Sequence, residues 1–167
     1  MLAHQIRTFA RYDRWADARL AATVAALDEG AYRADLGLVF RSIHGTLNHL
    51  LVADRIWLHR MTGEPDDGSP DRLDAILVDD PAALAAARGR EDGRIIAFAD
   101  RLDEAALAEI CSYRTRTGEV YAQPLAAVLA HFFDHQTHHR GQMHAALTGL
   151  GQTAPALDLI YSLREGG

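Results

Sequence analysis

Apolar residues recur with a helical period over most of this chain. Between residues 2 and 27, Ile6, Phe9, Tyr12, Trp15, Ala16, Leu20, Val24 and Leu27 follow one another at spacings that place them on one helix face. Gly30 is expected to close that helix as a C-terminal cap. A second helix is expected from Ser42, a good N-cap, through Leu47, Leu50, Leu51, Trp57 and Leu58 to Met61, with Gly63 and Pro65 as stops. Gly63 to Pro70, rich in Gly, Pro and Asp, reads as an exposed connection. Asp80-Pro81 then supplies an N-cap and a first-turn proline for a third helix reaching about Leu102. Residues 112–122 break the pattern. Their β-branched and aromatic side chains flank Thr117-Gly118, which predicts a short hairpin. Pro124 is expected to open a fourth long helix running to Leu147 and ended by Gly149 and Gly151, followed by one short helix from Ala156 to Arg164. Four long amphipathic helices in one chain predict an all-α fold, a four-helix bundle forming a single domain over residues 1–167.

The 167 residues suffice to bury a sizeable core, roughly 70% of the unfolded surface. The net charge of -6 comes with no cluster of basic residues, which argues against a nucleic-acid surface. No stretch is long and apolar enough to span a membrane, and the N-terminus lacks a secretory core, so a soluble cytoplasmic protein is expected. Cys111 is the single cysteine; with no thiol partner, it reads as an inert small residue. No phosphate-binding loop, dinucleotide fingerprint or nucleophile elbow is present. The Glu-x-x-His arrays of di-iron bundles are also missing.

The chemistry concentrates in the histidines. The chain has nine, and four of them are His131, His135, His138 and His139 on the fourth helix. Neutral imidazole is the commonest protein ligand for borderline transition metals, and a spacing of four stacks His135 and His139 on one helix face. With His131 at zero, His138 lies at about -20°, His135 at about 40° and His139 at about 80° on a helical wheel. The apolar residues Leu125, Val128, Leu129, Phe132 and Leu147 occupy roughly 60° to 160°, so His139 is inside the buried arc, His135 at its margin, and His131 and His138 at the rim. His144 points elsewhere. A catalytic site of the zinc type usually takes three protein ligands and leaves a position open, and bundles draw ligands from facing helices. The second helix offers His44, His49 and His59, of which His49, on the margin of its apolar face, is the choice for the third ligand.

Two segments carry a family resemblance. Ser42 to Trp57, with Asn48-His49 and Asp54 inside it, and His135-Gln136-Thr137-His138-His139-Arg140-Gly141-Gln142 resemble the hallmark segments of the DinB-like superfamily, related to the YfiT-like metal-dependent hydrolases. Tyr12 to Ala16 and Asp158 to Tyr161 extend the likeness over nearly the whole chain. The resemblance implies a bundle of up-down-down-up connectivity, a homodimer, and a divalent ion held by His49, His135 and His139. It also implies a small-molecule substrate and a reaction of the thiol-dependent transferase or isomerase kind, with a low-molecular-weight thiol, or a hydrolysis. Three imidazoles suit zinc, nickel, iron, cobalt or copper, and the order of affinities does not by itself select the physiological ion. A metal-binding, stress-response protein without turnover is the alternative from another class.

Around the site, Asp54, Asp134, Gln142 and His138 are the candidates to hold the second ring nitrogen of each ligand. His138 and His131 are candidate general bases. Asp54 falls in the apolar arc of its helix and needs a partner, for which Arg140 is available. Trp15 and Trp57 sit at core spacing, while Glu91-Asp92 and Asp100 to Glu104 read as solvated charge on the third helix.

Overall fold

The computed structural model describes residues 1–64 and 72–166. Four long helices dominate them: α1 (Leu2–Val24), α3 (Ile43–Thr62), α4 (Pro81–Arg101) and α6 (Leu125–Gly149). Three short helices, α2 (Glu29–Arg33), α5 (Glu104–Ala108) and α7 (Leu159–Arg164), and the strands β1 (Ile110–Arg114) and β2 (Val120–Pro124) complete them. The protein is mostly helical, with one small antiparallel hairpin.

The capping expectations on the two central helices hold. Ser42 Oγ accepts from the Gly45 N–H at 2.9 Å, and Gly63 ends α3 in the left-handed region at φ 69°. The Asp80 carboxylate accepts from the Ala83 N–H at 2.7 Å, with Pro81 in the first turn of α4. The hairpin also forms, pairing Tyr113 with Tyr121 and Ser112 with Ala122. Pro124 is its last residue, and α6 starts one position later. Of the expected connection, Gly63 and Glu64 are exposed, whereas Pro65 to Pro70 lie outside the described residues.

One expected helix end moves, and two short helices appear, each opened by a capping Asp that the periodicity does not reveal. The first helix stops at Val24, and Gly30 does not cap it. Asp28 accepts from the Ala31 N–H at 2.8 Å and opens α2, with Gly30 inside. Helix α4 ends at Arg101 with Leu102 as its C-cap, as expected, and Asp103 then accepts from the Ala106 N–H at 2.8 Å to start the unexpected α5. Asp100 and Glu104 therefore sit on different elements. Asp100 meets Arg11 at 2.9 Å and Glu104 takes the Ala3 N–H at 3.0 Å. The final helix is shorter than expected, from Leu159 rather than Ala156.

Helix α1 packs on α4 and α6, and α3 packs on the same two. Residue pairs give the directions. Arg11 meets Asp100 whereas Asp17 meets Arg88, so α1 and α4 run antiparallel. Phe9 lies on Phe133, and Asp13 on Arg140, so α1 and α6 run parallel. Trp57 lies on His131, and His49 on His139, so α3 and α6 are antiparallel.

The core is layered. One apolar cluster gathers Ile6, Ala10, Leu58, Ile95, Leu129 and Phe132, and a second gathers Leu20, Ile43, Leu50, Met143 and Leu147. Between these stretches, each long helix places charged or amide side chains inward: Asp13 and Asp17, Asp54, Arg88 and Asp92, Gln136 and Arg140. Arg88 bonds to both Asp54 and Asp17, Gln136 donates to Asp54, and Arg140 donates to Asp13 at 2.5 Å and to Asp17 at 3.4 Å. Asp54 is fully buried, and its cationic partner is Arg88, not Arg140. Glu91 and Asp92 are likewise buried rather than solvated, because this face of α4 turns towards α1 and α3. Glu91 accepts from Arg94 at 2.8 Å.

The tryptophans divide. Trp57 packs against the first cluster, but Trp15 is half-buried and donates its indole N–H to Glu165 at 2.8 Å. Cys111 is buried in β1, its thiol directed at the Arg60 carbonyl and raised by burial, which fits an inert role.

Candidate metal centre

His49 stands near the middle of α3, five residues before Asp54. His135 and His139 occupy successive turns of the antiparallel α6. The polar layer ties the same two helices at Asp54–Gln136, one residue from His135, so the histidines face one another at a fixed level. His135 Nε2 lies 3.1 Å from His49 Nε2 and 3.2 Å from His139 Nε2. All three ligand atoms fall within 4.8 Å of one another. Metal–nitrogen bonds of about 2.0–2.1 Å, at angles between a right angle and the tetrahedral value, separate ligand nitrogens by roughly 2.8–3.4 Å. Two of the three separations fall in that range and the third lies within 4.8 Å, an arrangement compatible with a metal-binding site.

Hydrogen bonds orient two of the rings. His49 Nδ1 is 2.9 Å from the Leu73 carbonyl, which only accepts, so Nδ1 carries the proton and Nε2 presents a bare lone pair. His139 Nδ1 lies 2.9 Å from Gln142 Oε1, with the same result. Gln142 in turn donates its amide N–H to His138 Nε2 at 3.0 Å, which agrees with the placement of its oxygen towards His139. Phe40 stacks on the His49 ring at 3.7 Å, 13° from parallel. Gly45 makes that approach possible, since a Cβ there would lie 2.1 Å from the Phe40 carbonyl oxygen.

Burial holds the group neutral. It lowers His49 to about 4, opposed by the Leu73 hydrogen bond and assisted by His139. Burial lowers His135 to about 3, with the neighbouring imidazoles adding to it, and lowers His139 as well. Neutral imidazole is the form that binds a metal.

The other candidates separate clearly. His44 is buried, but its ring meets Arg33 at 3.2 Å and the Val78 carbonyl at 3.3 Å, away from the cluster. His59 bonds to the Glu64 carbonyl at the end of α3. His131 is exposed, edge-on to Trp57 at 5.0 Å. His138 is exposed and held by Gln142, and His144 is half-buried further along α6. Of the four expected supports, Gln142 bonds directly to a ring of the cluster. Asp54 serves the polar layer, Asp134 is exposed, and His138 holds Gln142 and meets the His139 ring edge-on at 4.9 Å without bonding to its nitrogens.

Two partners of His49 escape sequence reasoning. The Leu73 carbonyl carries no side-chain signal at all, and Phe40 lies before the Ser42 cap, outside any helical wheel. Beside His49 and His135 opens a cavity of about 400 Å³, with Trp57, Arg60, Arg116 and His131 on its wall. Its mouth is framed by the hairpin, so that element shapes the approach to the histidines.

No helix among the described residues is long and apolar enough to cross a membrane. No curated protein gives a significant match to the sequence. The model of the DinB family matches residues 1–165, nearly the full length, and this chain belongs to the DinB family.

Proposed function

We propose that the protein is a metal-dependent enzyme on an up-down-down-up four-helix bundle, with His49, His135 and His139 holding one divalent ion. The relative directions of α1, α3, α4 and α6 support that connectivity. The observation that carries the site is the convergence of three imidazole Nε2 atoms, two with their proton committed to Nδ1 by Leu73 and Gln142. A divalent ion held there supplies Lewis acidity that lowers the pKa of a bound water or thiol towards neutrality.

The chain's own residues do the rest. Leu73 and Gln142 keep the ligand rings in one tautomer, Phe40 holds the His49 ring by stacking, and the cavity admits a small molecule beside them. Arg60 and Arg116 on its wall favour a substrate bearing negative charge. His131, exposed on the same wall, is the better placed of the two candidate bases; His138 is engaged with Gln142. Transfer to or from a low-molecular-weight thiol, or hydrolysis, is the chemistry this arrangement suits.

Metal analysis of the purified protein, with anomalous scattering at the zinc, nickel and iron edges, tests the site. One equivalent bound, and lost in His139→Ala, is expected. Turnover of an electrophilic acceptor with a thiol, or of an ester, then tests catalysis. Stoichiometric metal without turnover leaves a metal-binding protein, and protein that binds no metal overturns the proposal.

A further inference from the structure

A second cavity lies away from the histidines, a groove of about 460 Å³ between α1 and the antiparallel α4, with Leu47 and Met143 in its lining. Small residues, among them Ala21, Ala25, Ala85 and Gly89, leave it open. Its two ends differ in character. At one end stand Asp17, Arg88 and Asp92, with Arg14 exposed at the rim; at the other, Val24, Ala25, Pro81 and Ala82. From Asp17 to Ala25 the helix advances about 12 Å.

Apart from the exposed Arg14 at its rim, the polar end is short of positive charge. The buried layer beneath it sets four carboxylates, Asp13, Asp17, Asp54 and Asp92, against two guanidinium groups, Arg88 and Arg140. Arg88 is committed to Asp17 and Asp54 through hydrogen bonds. Asp92 is only 4% exposed, makes no hydrogen bond among the described residues, and finds its nearest cation, Arg88, at 4.0 Å. A buried carboxylate in that position is costly unless something pairs with it. Burial raises its carboxyl to about 7, as expected of an acid with too little positive charge around it. Tyr32, on the apolar part of the groove, also has a buried hydroxyl without a hydrogen-bond partner among the described residues.

We infer that this groove is a binding site for a small amphipathic amine. Its ammonium group lies against Asp92 and Asp17, and its hydrocarbon tail runs along the alanine-lined channel towards Val24 and Pro81. The site is separate from the histidine cluster and does not depend on metal.

Isothermal titration of n-octylammonium chloride into the full-length, metal-free protein tests it, with octanoate as the chain-matched anion. Saturable one-to-one binding is expected, at least tenfold tighter than octanoate, and at least tenfold weaker in Asp92→Asn. Because Asp92→Asn alters a buried layer, Gly89→Phe provides a second variant. Gly89 lines the groove and a Cβ there meets nothing within 4 Å, so a side chain starts in open space at the groove, and Gly89→Phe, with its helical circular dichroism checked against wild type, should also weaken binding at least tenfold. Absence of saturable amine binding to the wild type, equal affinity for octanoate, or unchanged affinity in Gly89→Phe would each overturn the assignment.

Discussion

Replacing Arg88 with methionine should destabilise the protein far more than its lost volume explains. Arg88 is 4% exposed, and its guanidinium bonds to Asp54 and Asp17 from two different helices, with Asp92 at 4.0 Å. Methionine fills most of the space but leaves Asp54 with only the Gln136 amide and Asp17 with only Arg140 at 3.4 Å. Removing one partner of a buried ion pair costs about 3–5 kcal/mol, since the remaining charge stays desolvated. For a domain of this size each kcal/mol moves the melting temperature by about 2–4 °C, so a drop of roughly 6–20 °C is expected. Urea unfolding followed by circular dichroism at about pH 8.5, above the value of about 7 to which burial raises Asp54, and with a chelator present, isolates this from metal binding. Asp92→Asn is the matched control. It removes one of four carboxylates that face two guanidinium groups, so its stability should equal or exceed that of the wild type. Arg88→Met within about 1 kcal/mol of wild type, or Asp92→Asn as damaging as Arg88→Met, refutes the charge-imbalance reasoning.

Gln142→Leu should lower zinc affinity about 10–100-fold in competition with a chromophoric chelator, because His139 loses the acceptor that sets its tautomer; unchanged affinity removes Gln142 from that role. Gly45→Ala should cost about 1–3 kcal/mol or more in urea unfolding, since its Cβ would meet the Phe40 carbonyl oxygen at 2.1 Å; a variant as stable as wild type would show that the chain relaxes freely there. Stability of the metal-free protein should also depend on pH. Burial raises Asp13 and Asp54 to about 7, so the folded state holds protons near neutrality that the unfolded chain has released. This contribution is fully present below the unfolded carboxylate pKa of about 4 and is lost as pH rises through about 7. The urea midpoint should therefore be higher at about pH 7 than at about pH 8.5, with a smaller difference in Asp54→Asn; the opposite order contradicts the assignment.

Much of the architecture is local in origin. The apolar periods of α1, α3, α4 and α6, the caps at Ser42 and Asp80, and the break around Thr117-Gly118 need only a residue and its near neighbours. The sequence alone thus determined the long helices, the hairpin and the inward placement of His139, and the spacing of His135 and His139 put them on successive turns. The short helices α2 and α5 were missed because one capping Asp, at 28 or 103, is too brief a signal against a strong neighbouring period.

What only the tertiary structure decided is which distant groups meet. A helical wheel says that Asp54 faces inward, yet it cannot say which guanidinium reaches it, and Arg88 rather than Arg140 lies across from it; Glu91 and Asp92 read as solvated, and only the packing of α4 on α1 and α3 buries them. It also cannot register a backbone carbonyl such as Leu73, or an aromatic ring such as Phe40 arriving from outside the helix, although both hold His49 in place. Periodicity is a property of one helix, whereas ion pairing, tautomer and stacking depend on the offset between helices, and that offset is set by how the whole core packs.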